Sequence, residues 1–143
     1  MLRVDVGAVR RLLLICRIDI NVLMLKNLLL VGVGGALGSM ARYLVTVLFS
    51  SLAVCSEWAI LAVNVIGSFL IGMLVPLAGS CGYVFLAVGF CGGFTTFSTF
   101  SAQTLQLLQG GQRVAAVCYV VASVLFSLLS VLLGIYCGGK FFK

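Results

Sequence analysis

The chain has 143 residues, of which 63% are hydrophobic and only 8% are charged, and its net charge is +6. A water-soluble domain of this size could not bury so much apolar surface, so the composition indicates a membrane protein. The positive charge does not point to a nucleic-acid partner, because the basic residues form no face interleaved with aromatic side chains. Four of the nine crowd the N-terminus instead: Arg3, Arg10, Arg11 and Arg17.

Side chains that could carry catalysis or bind a transition metal are scarce. The chain has no histidine, its acids are Asp5, Asp19 and Glu57, and its six cysteines show no CxxC spacing. This composition argues against a transition-metal site and against a histidine-based catalytic dyad, and we expect no enzyme.

The N-terminal residues 1–23 do not fit the pattern of a membrane segment. Their apolar run at 12–15 is too short for a signal-peptide core, and Arg17 and Asp19 interrupt the residues after it. Met24, by contrast, precedes a natural first membrane helix. We therefore expect translation to start at Met24, with residues 1–23 either outside the natural protein or a disordered tail.

Four segments are long and apolar enough to be membrane helices. A bilayer core of about 30 Å needs roughly 20 apolar residues at about 1.5 Å each. The connections between the segments are short, so neighbouring helices should run antiparallel. The sequence predicts one all-α domain at 24–143 with helices at about 27–49, 57–78, 82–108 and 114–137.

The charges near the segment ends hardly favour one orientation in the membrane. Counted from Met24, Lys26, Lys140 and Lys143 lie on one predicted side, and Arg113 with Arg42 lies on the other. Because basic residues in short loops set the orientation, this distribution allows insertion both ways and an antiparallel dimer. Small residues four apart also predict close helix approach, at Gly34/Gly38, Ser68/Gly72 and Gly89/Gly93.

The most unusual segment is 89–101, GFCGGFTTFSTFS. Two adjacent glycines weaken a helix, and the five hydroxyls after them need partners when water is absent. Irregular backbone at membrane depth persists only where protein buries it or where it lines a cavity. We therefore expect this segment to be the functional part of the chain.

Two phenylalanines of this segment, Phe97 and Phe100, share a helix face because they are three residues apart. Such rings usually fill a core or face lipid. Here they lie among hydroxyl side chains, and the electropositive edge of a ring can meet an anion without any fixed positive charge.

The remaining polar residues inside the segments have two readings each. Asn64, with Ser68 one turn later, is either an interhelical bond that holds the bundle or a donor that projects into a pore. Arg42 either reaches the headgroups from its helix end or concentrates anions at a pore mouth. In the last segment we favour a polar track, formed by an aligned stripe of Tyr119, Ser123, Ser127 and Ser130.

Together these stretches resemble the Fluc/CrcB family of small fluoride channels. The matching segments are 34–43 (GGALGSMARY), 64–72 (NVIGSFLIG) and 89–101, to which the last helix adds Tyr119, Ser123 and Ser127. The resemblance runs from about residue 24 to the end, and the N-terminal extension is the one departure from the family pattern.

The resemblance implies an antiparallel dual-topology homodimer with two pores and a third helix broken at its centre. It also implies a structural sodium ion between the subunits, bound here by the backbone carbonyls of Gly92 and Thr95. Arg42 would be the vestibule arginine. The fluoride path would be lined by Asn64, Phe97, Phe100, Ser101, Tyr119, Ser123 and Ser127.

The function implied is passive, selective export of fluoride through the plasma (inner) membrane of a bacterium, which reduces fluoride toxicity. The main alternative is a proton-coupled small multidrug exporter, which needs a carboxylate inside the membrane. Glu57 stands at the start of the second segment, so that alternative lacks its central residue. A membrane assembly factor is a third possibility, but it gives no reason for the cluster of hydroxyls and phenylalanines.

Overall fold

A computed structural model describes the backbone of residues 6–141 and the side chains of residues 20–141. The described part contains helices and no strand. The helices are α1 (Val6–Ser51), α2 (Ser56–Leu74), α3 (residues 81–94, built from Cys81–Tyr83, a π-helical stretch Val84–Cys91, and Gly92–Phe94), α4 (Phe97–Gln109) and α5 (Arg113–Phe141). A single 3-10 turn, Val75–Leu77, follows α2.

Four stretches of this structure are long and apolar enough to cross a membrane. They are Ile20–Ser51, Ser56–Leu77, Cys81–Gln109 and Arg113–Phe141. For the described residues, 6–141, the prediction of an all-helical fold with four spans is thereby confirmed, and the ends lie within a few residues of those predicted except at the start of the first helix.

The first helix is much longer than predicted. α1 begins at Val6, so it includes most of the N-terminal extension, while residues 1–5 lie outside the described residues. The start at Met24 stays a prediction, since a helical backbone does not identify the translated N-terminus.

Glycines let α1 pack closely against α3. A β-carbon at Gly34 would meet the carbonyl oxygen of Phe85, and one at Gly38 would meet that of Phe90. From the other side, a β-carbon at Gly93 would meet the carbonyl oxygen of Gly35. Because these obstacles are backbone atoms, which cannot move aside cheaply, only glycine permits this separation.

A second glycine-mediated contact joins α2 to α5. β-Carbons at Gly72, Gly134 and Gly138 would meet the backbone carbonyls of the facing helix. The close helix approach predicted from small residues is therefore present, and it occurs between helices of one subunit. The molecule is thus two tightly packed helix pairs, α1 with α3 and α2 with α5.

Extended backbone interrupts the third span between α3 and α4. Thr95 (φ −74°, ψ 155°) and Thr96 (φ −148°, ψ 114°) have extended backbone, and helix resumes at Phe97. Gly92, with φ −62° and ψ −38°, is still helical. The two glycines therefore do not supply the non-helical conformation; the two threonines that come after them do.

Candidate anion pathway and cation site

An open groove of about 370 Å³ runs beside the extended threonines. Its walls come from α2, from residues 95–96 with the start of α4, and from α5, three parts of the chain that are far apart in sequence. We call it the polar groove, after the amide and hydroxyl groups among its lining residues. They are Asn64, Ser68, Ile71, Thr95, Thr96, Phe97, Phe100, Ser123, Val124, Ser127 and Leu128.

Asn64 bonds both backbone polar groups of Thr96. Its Oδ1 accepts from the Thr96 N–H at 2.9 Å, and its Nδ2 donates to the Thr96 carbonyl oxygen at 3.3 Å. An extended residue between two helices has no helical partners for these groups, and leaving them unpaired away from water is costly. The interhelical reading of Asn64 is therefore confirmed, and the amide also lines the polar groove.

The side chain of Thr96 caps the start of α4. Its Oγ1 accepts from the Thr99 N–H at 3.3 Å, and it bonds the hydroxyls of Ser98 (3.2 Å) and Thr99 (3.1 Å). A threonine at this position satisfies one of the N–H groups that have no partner in the first turn of a helix. Backbone and side chain of one residue thus fix where α4 begins.

The two carbonyls assigned to a cation, those of Gly92 and Thr95, have lost their helical donors. In a continuous helix the N–H of Thr96 would bond Gly92 and that of Thr99 would bond Thr95. Those N–H groups donate instead to Asn64 Oδ1 and to Thr96 Oγ1. Carbonyl oxygens are the ligands that a hard cation prefers, so the donor set fits sodium chemically.

No group of three or more His, Cys, Asp or Glu side chains that could hold a metal occurs among the described residues. The predicted sodium ligands are of a different kind, since both are backbone carbonyl oxygens.

Arg42 lies against the end of α3. Its Nε donates to the Gly93 carbonyl at 3.2 Å, and Ser39 Oγ donates to the same oxygen at 3.4 Å. A cation near a helix C-terminus is favoured by the helix dipole, and here it also supplies a partner for a terminal carbonyl. Arg42 is partly buried and does not line the polar groove, so it is not simply extended toward the headgroups.

Three aromatic rings, two on α4 and one on α5, form a short row. The centroids of Phe97 and Phe100 are 5.7 Å apart, as expected for residues on one helix face, and those of Phe100 and Tyr119 are 5.3 Å apart. Phe97 lines the groove and is 79% exposed. Tyr119 is not a lining residue but touches the groove through Phe100.

The hydroxyl of Tyr119 donates to Gln103 Oε1 at 2.8 Å, and both side chains are buried. The sequence motifs do not single out Gln103. Like Asn64, Gln103 carries an amide inside a membrane span that needs a hydrogen-bond partner, and this need is the signal that identifies it. Gln103 also borders a second cavity near the α1–α2 loop, together with Thr46, Ser50 and Thr99.

The predicted serine stripe of α5 divides between two grooves. Ser123 and Ser127 line the polar groove, and the 6%-exposed Ser123 has no hydrogen-bond partner for its Oγ among the described residues. Ser130 lines a different cavity, which we call the apolar groove. Its lining residues are Phe49, Trp58, Leu61, Ala62, Val65, Phe126, Leu129, Ser130 and Leu133.

The structure therefore gathers five of the residues predicted for a fluoride path and leaves others outside the groove. Asn64, Phe97, Phe100, Ser123 and Ser127 line it, together with Thr95. Ser101 is exposed, and its hydroxyl donates to the Phe97 carbonyl at 2.9 Å within α4. Tyr119, Arg42 and Gly92 do not line the groove.

Comparison with known proteins supports one family. Residues 29–135 match the family described as CrcB-like protein, Camphor Resistance (CrcB). The chain is 43% identical over 115 residues to a Chlorobium chlorochromatii protein named Fluoride-specific ion channel FluC, an alignment that covers 76% of this chain and 89% of that one.

Two more proteins with that name are similar to the chain. The one from Elusimicrobium minutum is 44% identical over 119 residues, covering 80% of this chain and 92% of that one. The one from Phocaeicola vulgatus is 40% identical over 118 residues, covering 78% and 98%. The similarity thus extends over nearly the whole length of these relatives.

Proposed function

The chain belongs to the CrcB family, and on that basis we propose that it is a fluoride-specific ion channel through which fluoride leaves the cytoplasm. We place it in the bacterial plasma (inner) membrane, where passive export would reduce fluoride toxicity. It is a multi-pass membrane protein and no enzyme.

The observation that carries this proposal is the composition of the polar groove. Fluoride is small and strongly hydrated, so a selective path must replace its water shell with closely placed donors. The groove brings together an amide from α2, hydroxyls from α5 and two phenyl rings from α4. The ring edges carry positive partial charge, and so the lining can meet an anion without fixed cationic side chains.

We propose that a second, antiparallel copy of the chain covers this groove. Amide and hydroxyl groups facing lipid would be unsatisfied, and such backbone or side-chain polarity is tolerated only where protein or a water-filled path adjoins it. The polar groove is open, and Phe97, one of its lining residues, is largely exposed. Two copies related by a twofold axis would each complete the groove of the other and give two paths.

We propose that a structural sodium ion binds beside the polar groove. The Gly92 and Thr95 carbonyls would bind it, because their helical donors are engaged elsewhere. The ion would supply positive charge near the subunit boundary. Arg42, bonded to the Gly93 carbonyl between those two residues, would add a second positive charge that favours anions in the vestibule.

The multidrug-exporter alternative receives no support. It requires a membrane carboxylate that exchanges protons. The only acid within the four spans, Glu57, occupies the first turn of α2, where its carboxylate is within 3.4 Å of the Ser56 hydroxyl. No acidic side chain lines the polar groove.

A flux assay tests the proposal directly. Purified protein in liposomes, with no proton gradient, should release fluoride at a rate that exceeds chloride release by at least about a hundredfold, which corresponds to roughly 2.7 kcal/mol between the two barriers. Protein-free vesicles provide the background for each anion. Equal rates for fluoride and chloride, or no fluoride release, would refute the proposal.

A further inference from the structure

We propose that Asn64 is a positioning residue that acts through Thr96: it diverts the Thr96 N–H away from the Gly92 carbonyl and so keeps that carbonyl free for a cation. The sequence alone left open whether Asn64 joins helices or donates into a pore, and this role is a third one. It rests on the proposed function only in that the cation site belongs to the same channel.

The hydrogen bonds of Thr96 carry the first step. Asn64 accepts a hydrogen bond from the Thr96 N–H at 2.9 Å and donates one to the Thr96 carbonyl at 3.3 Å. A single side chain therefore satisfies both backbone polar groups of an extended residue. The backbone angles of Thr96, φ −148° and ψ 114°, present N–H and C=O to the same side chain. Few side chains other than an amide offer a donor and an acceptor in this arrangement.

The second step concerns the alternative available to the same N–H group. In a membrane a backbone N–H most readily bonds the carbonyl four residues earlier in its own helix. For Thr96 that carbonyl belongs to Gly92. Without Asn64, we expect the helix of α3 to continue by this bond. The Gly92 carbonyl would then be occupied by its own helix, and one of the two oxygens proposed for sodium would be lost.

The position of the aromatic pair depends on the same contact. Phe97 is the first residue of α4 and adjoins Thr96, whose hydroxyl caps the helix by accepting the Thr99 N–H. A shift of Thr96 into helical conformation would remove this cap and rotate Phe97 and Phe100 together. Asn64 therefore connects the cation site on one side of Thr96 to the rings on the other.

A direct contact between Asn64 and fluoride is the competing explanation for any loss of transport in an Asn64 variant. The amide lines the polar groove, and only one of its two N–H groups bonds Thr96 among the described residues. The two explanations differ in sodium dependence. A direct ligand affects fluoride alone, whereas a residue that frees the Gly92 carbonyl also affects sodium.

The test measures the sodium-dependent rise in unfolding temperature, Tm, of the full chain, with a bulky organic cation as the reference salt, alongside fluoride efflux. Ligand binding to the folded state raises Tm to an extent that depends on its affinity. The variants are Asn64→Ala and Ser68→Ala, the latter a matched control one turn along the same groove. We expect Asn64→Ala to need at least roughly tenfold more sodium for the same rise in Tm, and Ser68→Ala to keep the sodium response of the wild type.

A backbone ester at Thr96, which replaces its N–H with oxygen, provides the rescue. In the Asn64→Ala background the ester removes the donor that would occupy Gly92, so sodium sensitivity should return to within about threefold of wild type. In the otherwise wild-type chain the ester should leave the sodium response in place. This single change also serves where Asn64→Ala does not assemble.

Each outcome decides the matter. An Asn64→Ala protein that loses fluoride efflux but keeps the wild-type sodium response would make Asn64 a direct ligand and overturn the proposal. So would a wild-type Tm that is indifferent to sodium, or an ester that abolishes the sodium response by itself. A chain that shows the expected sodium pattern but conducts no fluoride would refute the proposed function and leave the role of Asn64 intact.

Discussion

The polar groove and the apolar groove lie on the same pair of helices, α2 and α5, and differ in almost everything except size. Their volumes are about 370 and 490 Å³. The third wall of the polar groove is the extended stretch 95–96 and the start of α4, whereas that of the apolar groove is the end of α1 at Phe49. The extended backbone of Thr96 needs polar partners, which Asn64 supplies, whereas helical backbone satisfies most of its own polar groups.

The difference between the grooves teaches that position in the fold decides the role of a residue more than its type does. Ser127 and Ser130 are three residues apart on α5, yet they line different grooves. Phe100 and Phe126 are both phenylalanines within spans, but only Phe100 lies beside the hydroxyls and contacts another aromatic ring of that row. Matched substitutions in the two grooves can therefore separate transport from packing.

The largest difference is expected for the phenylalanines. Replacing Phe100 with isoleucine keeps an apolar side chain but removes the ring edge, so fluoride efflux should fall by about a hundredfold, or roughly 2.7 kcal/mol in the barrier. Phe126→Ile in the apolar groove should change efflux by less than about twofold. Liposome efflux measured at equal protein incorporation checks both.

Assembly must be unchanged for that comparison to hold, so the two variants should elute at the same position as the wild type in size-exclusion chromatography. Phe97→Ile is a second test of the ring row, since Phe97 and Phe100 are in contact. Wild-type efflux in both Phe97→Ile and Phe100→Ile would remove the rings from the mechanism.

An intermediate effect, on stability, is expected at the contact between α2 and α5, the two helices that form walls of both grooves. A β-carbon at Gly134 would meet the Phe69 carbonyl oxygen, and the obstacle is backbone. Gly134→Ala should therefore cost about 1–3 kcal/mol of stability through overpacking, and lower Tm. Gly139→Ala is the matched control on the same helix, because a β-carbon there has nothing within 4 Å.

Thermal unfolding of both variants under one detergent condition measures this effect. A Gly134→Ala protein as stable as Gly139→Ala would mean that α2 and α5 can separate without cost, and the shared wall of the two grooves would then be poorly defined.

Much of the architecture could be predicted from the sequence because lipid imposes simple requirements. Hydrophobic length indicated the four spans, and small residues four apart indicated the close contacts of Gly34 and Gly38 with α3. Helical spacing also placed Phe97 and Phe100 side by side. These inferences depend only on local hydrophobic length and residue spacing, and both keep their meaning in a membrane helix.

The rest depended on contacts between distant parts of the chain. Nothing in the spacing of Asn64 indicates that its amide bonds the backbone of Thr96, or that Arg42 bonds Gly93. Similarly, the helical angles of Gly92 show that glycine was the wrong residue to associate with extended backbone. Glycine weakens a helix in general, but here its lack of a side chain serves close packing of Gly93 against Gly35.

The smallest effect is expected for Ser123 and Ser130, which belong to the same predicted stripe of α5 but line different grooves. Ser123 is buried with no partner for its hydroxyl among the described residues, which is costly unless an ion or water passing through the groove uses it. Ser123→Ala should therefore lower fluoride efflux by roughly three- to tenfold while leaving Tm equal or slightly higher, because an unsatisfied buried group is removed.

Ser130→Ala, in the apolar groove, should leave efflux within about twofold of wild type. The opposite signs for Ser123, lower transport with equal or higher stability, are what a purely structural hydroxyl could not produce, since its loss would lower both. Efflux and Tm measured on the same preparations give the comparison. Equal losses of efflux in the two variants would show that the serine stripe acts as a whole, and the division of α5 between a conducting and a packing face would fail.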